Sequence, residues 1–210
     1  MTERSFIFVS TFNVNMTKAD KTKKWIIEQA APIFNKRGVA GTAMSDIMEA
    51  TKLSKGSLYV HFQDKEELSY SAVDFNLNLF VTRISEIMGR HKTAKEKLLG
   101  MLDSLSDPLH PPIVGGCPML NFGLEADDTN PVILQKVNKT ITTVQQGVSS
   151  LVQQGIKSGQ FRKTWNPKIF ATKMFALLEG GILLSRVSGK RDQMEIIIKL
   201  IKDEIEENSL

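Results

Sequence analysis

The sequence predicts an all-α protein, with an N-terminal three-helix unit followed by a larger helical body. Three observations carry this. Apolar residues recur at three- and four-residue spacing, with almost no two-residue alternation between turn signals. Helix-start signals recur where the apolar stripes begin: a hydroxyl or Asp with an acid three residues on, or Asn directly before Pro. The densest cluster of helix breakers is one stretch, Asp107–Gly116, with three prolines and two glycines.

Composition bounds the class. A chain of 210 residues buries a sizeable core but is short for two unrelated domains. Hydrophobic content of 41% and charged content of 24% are ordinary for a globular protein. No apolar run approaches the roughly 18–20 residues a membrane span requires, which favours a soluble, cytoplasmic protein. A single cysteine, Cys117, excludes an internal disulfide framework and a Cys-rich zinc site. No metal or cofactor is expected.

Residues 1–16, with Phe6-Ile7-Phe8-Val9, lack the basic start, long apolar core and small-residue cleavage site of a secretory leader. They read as a disordered extension, and Met16 offers an alternative translation start directly before a good helix signal. Thr17 with Asp20 caps a first helix whose inner face is Ile26, Ala30, Ile33 and Phe34 and which Gly38 ends. Pro32 should bend its last turns, because it removes one backbone N–H. A short second helix after Thr42 carries Met44, Ile47 and Met48, and a third begins at Ser54. Asp64 and Glu67 open a fourth, with the stripe Leu68, Ala72, Phe75 and Leu79. Thr93 and Glu96 open a fifth that stops before Pro108. A short helical segment at Cys117–Leu120 then leads into an acidic turn, Glu125-Ala126-Asp127-Asp128, read as solvated charge. Asn130-Pro131 and Asn166-Pro167 launch two long helices, roughly 130–158 and 166–188, and a last one runs from about 191 to 207. The expected division is 1–16 extension, 17–64 three-helix unit, and 65–210 body.

Charge is distributed unevenly. The net +4 of the chain lies wholly between Thr17 and Lys65, where nine Lys/Arg face five Asp/Glu. Localised positive charge suits a phosphate-facing module, although a solvated lysine-rich face would look the same. Within Thr42–Lys65, two short helices joined by a tight turn are a way to present one helix to a DNA major groove. Ile47, Leu53 and Leu58 close a small core, which leaves Ser54, Lys55 and Ser57 outward. Gly56 keeps the backbone slim enough to sit deep in the groove.

This stretch resembles the TetR family of bacterial transcriptional regulators. The resemblance lies in Gly38, Thr42, Asp46-Ile47, Ser54-Lys55-Gly56-Ser57-Leu58-Tyr59, His61-Phe62 and Lys65, with Ala30 and Phe34 upstream. It covers roughly 18–65, and beyond that only architecture and Leu178-Glu179-Gly180-Gly181 match. It implies a dimeric repressor that binds a palindromic site on double-stranded DNA and is released by a small-molecule effector. Thr42, Tyr59 and Lys65 would then hold phosphates while Lys55 and Ser57 read bases. Tyr59 and His61 could instead pack against the next helix. Lys52 stands where the family's turn usually has glycine, and Ala43 and Ser45 replace side chains that often grip phosphate.

The resemblance also implies that the last two helices form a homodimer interface, through Ile169, Phe170, Met174, Leu177, Leu178, Gly181 and Leu184, with Met194, Ile197, Ile198, Ile201 and Ile205. An ordinary intrachain core fits those stripes as well. An effector pocket is expected between the helices that begin near 65, 93, 130 and 166. Its candidate lining is Phe75, Leu79, Leu102, Met119, Phe122, Val144 and Phe175, which suits a hydrophobic or aromatic ligand. Cys117, after Gly115-Gly116, is either a sensor of electrophiles or a buried inert thiol, since reactivity needs exposure and a lowered pKa.

No phosphate-binding glycine loop, metal-ligating histidine pair or nucleophile elbow is present, and His61, His91 and His110 are scattered, so no enzyme is expected. Two alternatives stay open. One is a small-molecule-binding helical dimer without specific DNA recognition. The other is a membrane-surface role for Lys18, Lys21, Lys23 and Lys24.

Overall fold

The computed structural model describes residues 16–210, so the expected extension lies outside the described residues except for Met16. Among those residues the chain forms nine helices, and the one β-bridge joins Phe161 to Ser209. The three-helix unit comprises α1 (Lys18–Arg37), α2 (Met44–Thr51) and α3 (Lys55–Tyr59). The body comprises α4 (Lys65–Gly89), α5 (Ala94–Ser104), α6 (Pro118–Ala126), α7 (Pro131–Lys157), α8 (Pro167–Ser188) and α9 (Asp192–Glu207).

The caps explain where the helices begin. Thr17 and Asp20 form a full capping box, as do Thr93 and Glu96. Asn130 accepts from the Ile133 N–H, and Asn166 from those of Lys168 and Ile169, each with proline at the next position. At α4 the box is only half made. Asp64 accepts from the Glu67 N–H at 2.8 Å, but the Glu67 carboxylate takes the Gln63 N–H at 2.7 Å instead of returning to Asp64.

Pro32 lies inside α1, which runs on to Arg37 with Ala30, Ala31 and Phe34 fully buried around it. Tertiary packing holds the turn where one backbone bond is missing. One expectation changes here: the acidic run is not a free turn. α6 extends through Glu125 and Ala126, and Ala126 is buried.

One continuous core runs from Ile26 in α1 to Ile205 in α9. α4 joins the two parts. At 25 residues it is roughly 37 Å long, and it packs on α1 at one end and on α5, α6 and α7 along its length. Asn76 of α4 stitches the junction, its buried side-chain amide donating to the Ala31 carbonyl at 2.8 Å and to Ala72 at 3.0 Å.

α8 and α9 pack tightly on each other. A Cβ on Gly181 would stand 2.6 Å from the Met194 sulfur, so only glycine permits this approach. Met194, Ile198, Ile201 and Ile205 are buried within the chain, as are Phe170, Met174, Leu178 and Gly181. The stripe expected to meet a second subunit is thus mainly intrachain core. The apolar residues left outside are Ile169, Leu183, Leu184 and Val187 on α8 with Ile196 and Leu200 on α9.

Candidate nucleic-acid interface and interior cavity

The three-helix unit is built around Phe34, Ile47 and Leu58, each fully buried. Leu53 of the turn is half-buried against them. The turn needs Lys52 in the left-handed region, at φ 58 and ψ 25, the one non-glycine residue with positive φ among the described residues. A Cβ there is strained, which is why glycine is common at this point of the motif.

Ser54 caps α3, accepting from the Ser57 N–H at 3.2 Å, and its hydroxyl lies 2.9 Å from that of Ser57. Ser54, Lys55, Gly56 and Ser57 are all exposed, and nothing lies within 4 Å of a Cβ built on Gly56. Tyr59 is 41% exposed, with the Lys55 ammonium 6.0 Å from its ring centroid. His61 and Lys65 are half-buried, and Lys65 stands at the first position of α4, beside the end of α3. Seven of the eight predicted residues, from Ser54 to Lys65, are thus exposed or half-buried.

Thr42 does not join them. It is 1% exposed, and its hydroxyl donates to the Gly38 carbonyl at 2.6 Å. That hydroxyl closes the α1–α2 turn, and its burial disfavours the expected phosphate contact. Of the nine basic residues in this segment, Lys23 pairs with Glu67 and also stands over the Phe62 ring, Lys24 pairs with Glu28, and Arg37 pairs with Asp46. Among the described residues, Lys18, Lys21, Lys36, Lys52, Lys55 and Lys65 make no ion pair.

Comparison with known proteins agrees with this geometry. Residues 26–69 match the family model described as "Bacterial regulatory proteins, tetR family". Residues 94–201 match "Tetracyclin repressor-like, C-terminal domain". The chain belongs to the TetR family. A solved TetR-family regulator from Cytophaga hutchinsonii is 34% identical, with a TM-score of 0.86 over 93% of this chain and 98% of that one. Another from Chloroflexus aurantiacus is 35% identical, with a TM-score of 0.86 over 92% and 98%. The HTH-type transcriptional repressor DhaR of a Mycobacterium species is 22% identical over 85% of this chain and 89% of its own length. This TetR-family chain is therefore a DNA-binding transcriptional regulator of a family whose members dimerise, and not an enzyme. Among the described residues no helix is long and apolar enough to cross a membrane.

In this TetR-family body a narrow interior slot of about 30 Å³ lies between α4, α5, α7 and α8, with a mainly apolar wall. Val144 and Phe175 of the predicted lining stand on it, beside Phe80, Met101 and Met174. A more open groove of about 670 Å³ runs between α6 and α7 and ends on Phe175, and Met119 lines that groove. Leu102 is fully buried in the core instead, and Phe75 and Leu79 pack against the core away from both spaces. Phe122, also fully buried, faces a separate cleft with Val39 and Ala40.

Glu179, seen in the sequence only as part of a glycine-containing pattern, lines both the slot and the groove. Burial raises its carboxyl pKa. The Cys117 thiol donates to Glu179 Oε1 at 3.1 Å. Cys117 is 6% exposed, and burial together with that carboxylate pushes its thiol well above the ordinary range. Sensing by a reactive thiolate is therefore disfavoured in this state.

The sequence also gave no sign of a polar latch between body and three-helix unit. Glu125 of α6 accepts the Val39 N–H at 2.8 Å and the Ala40 N–H at 2.7 Å, gripping the α1–α2 turn. Gly38 makes this possible: at φ 78, its Cβ would lie 2.8 Å from both Glu125 oxygens. Alongside, Asn35 of α1 donates to the Val114 and Gly116 carbonyls at 2.8 and 3.0 Å. Asn121 of α6 donates back to the Asn35 carbonyl at 2.9 Å.

Proposed function

We propose that this protein is a dimeric repressor whose α3 helices read the two halves of a palindromic DNA site, and which releases DNA when a small apolar-bodied effector enters the body. The observation that carries the reading is α3 itself, a capped helix with Ser54, Lys55, Gly56 and Ser57 all facing outward among unpaired lysines. Lys55 and Ser57 read base edges, while Tyr59 and Lys65 hold backbone phosphates and fix the register. Ser54 and His61 stand at the edge of the same contact. The working division is 17–64 for DNA and 65–210 for effector and dimer.

The second copy docks on the outer face of α8 and α9, where Ile169, Leu183, Leu184, Val187, Ile196 and Leu200 lie exposed on adjoining helices. Six large apolar side chains on one face are more than scattered surface residues, and a four-helix contact would cover them. Effector binding is transmitted along a short path. The slot wall touches Cys117 through Glu179, Cys117 follows Gly115-Gly116, and the carbonyls of that loop hold Asn35 of α1. An effector that prefers one position of this loop shifts the separation of the two reading helices.

The test is selection of genomic DNA fragments on the purified protein beside a Tyr59→Ala, Lys65→Ala variant. A near-palindromic site enriched by the parent alone is expected, and on that site Lys55→Gln should change base preference whereas Tyr59→Phe weakens every site alike. If parent and variant both fail to enrich any sequence, the reading gives way to a ligand-binding dimer without DNA recognition.

A further inference from the structure

Glu179 is the one charged residue on the walls of the slot and of the groove. Its Oε1 has only the Cys117 thiol, a weak donor. Its Oε2 is closed off from solvent and has no hydrogen-bond partner among the described residues. No Lys, Arg or His of the described residues forms an ion pair with it. A carboxyl group left like this inside an apolar wall is costly. A Met or Leu at the same position would fill the space with less penalty, and the fold uses the carboxylate only through the weak bond from Cys117 at the start of α6. The missing partner is a donor, and the empty space beside it is where a ligand would bring one.

We propose that the effector is an amphipathic amine whose protonated nitrogen enters the slot and donates to Glu179, and whose apolar body lies in the groove between α6 and α7 against Leu134, Ile141 and Phe175. The proposal rests on the effector-binding reading above and adds the ligand's chemical class. Phe175, one helical turn before Glu179, lines the slot and the groove as well, and it offers a ring face to the same cation. The groove between α6 and α7 gives the approach, since Phe175 and Glu179 stand where it meets the slot. Neither wall carries a charged residue besides Glu179, so a single cationic end on a compact aliphatic or aryl body fits. An anionic ligand of the same shape would set like charges together.

The experiment is calorimetric titration of the purified protein, without DNA, using phenylbutylamine, phenylbutanol and phenylbutyrate, which share one apolar body. The amine should bind the parent about tenfold or more tighter than the alcohol, as a charge-assisted bond predicts, with the acid weakest. Glu179→Gln should bring the amine to the level of the alcohol. An alcohol or acid that matches the amine on the parent overturns the proposal, and so does the absence of saturable amine binding or a variant that keeps the preference. The three-ligand comparison on the parent stands even if the variant folds poorly. Because no DNA is present, failure of operator recognition cannot imitate failure here. A parent that selects an operator yet ignores the amine sinks this inference alone.

Discussion

The three-helix unit and the body put their working residues on opposite sides of the fold. In the unit, the share of the continuous core is a handful of side chains around Phe34, Ile47 and Leu58, and the proposed DNA-reading residues Ser54 to Ser57 are exposed. In the body, the share of the core is extensive, and the proposed ligand residues, Glu179 and Phe175, line a narrow slot. A surface reader has a small core to hold it and is correspondingly easy to unseat. A slot enclosed by long helices is held by many contacts, and its proposed chemistry hangs on one half-buried carboxyl group.

The sharpest way to break that comparison is to empty the small core. Leu58→Ala removes a fully buried side chain and should cost about 2–5 kcal/mol, the range for a large-to-small core change. Because so few residues share that core, the loss should stay local. Amide hydrogen exchange should show protection falling in α1–α3 while α7–α9 keep theirs. Equal loss in both regions would mean that unit and body unfold as one and that the contrast is wrong.

The same contrast explains how much was legible in the sequence. Caps, periodicity and proline placement act within a few residues, so the helix order and most boundaries could be read directly. α3 was legible because its partners lie within a dozen residues and its function is to be exposed. Glu125 was not, since its partners Val39 and Ala40 are 86 and 85 residues away and an acidic run looks solvated until α6 is docked. Thr42 misled for a related reason. A hydroxyl before a helix suits a phosphate, and only the folded turn shows it already donating to Gly38. Glu179 did leave a trace, a carboxylate four residues after Phe175 and three before Ile182, in register with an apolar stripe. Likewise, the inner and outer faces of α9 both carry isoleucines, so periodicity alone could not say which faced a partner.

The latch is where the two regions meet, and breaking it tests whether they communicate. Glu125→Ala deletes two charge-assisted bonds to the α1–α2 turn. Effector affinity measured without DNA should stay near that of the parent. The effect of saturating effector on DNA affinity should shrink by much of the usual coupling, about 1–3 kcal/mol. An unchanged effector response in the variant would move the coupling elsewhere, to α4 alone.

A smaller effect separates structure from contact at Thr42. Thr42→Val keeps the shape and removes the 2.6 Å bond to Gly38, so stability should fall by about 1 kcal/mol. If the hydroxyl serves only the turn, the salt dependence of DNA binding should keep the parent's slope. A slope reduced by about one unit, the signature of a lost phosphate contact, would restore the role that its burial denies it.

The smallest effect concerns Lys52, the left-handed residue between α2 and α3. A side chain in that conformation costs roughly 1–2 kcal/mol, and glycine relieves it while losing up to about 1 kcal/mol through its greater freedom in the unfolded chain. Lys52→Gly should therefore raise the stability of the three-helix unit slightly, by no more than about 1 kcal/mol, in thermal or denaturant unfolding. The substitution also removes an exposed, unpaired cation close to α3. If Lys52 is kept for its charge, the glycine variant will be the more stable protein and the weaker DNA binder at low salt, with the two proteins converging as salt rises. If DNA affinity instead rises with stability, the turn geometry was limiting and the charge at this position contributes nothing to the contact.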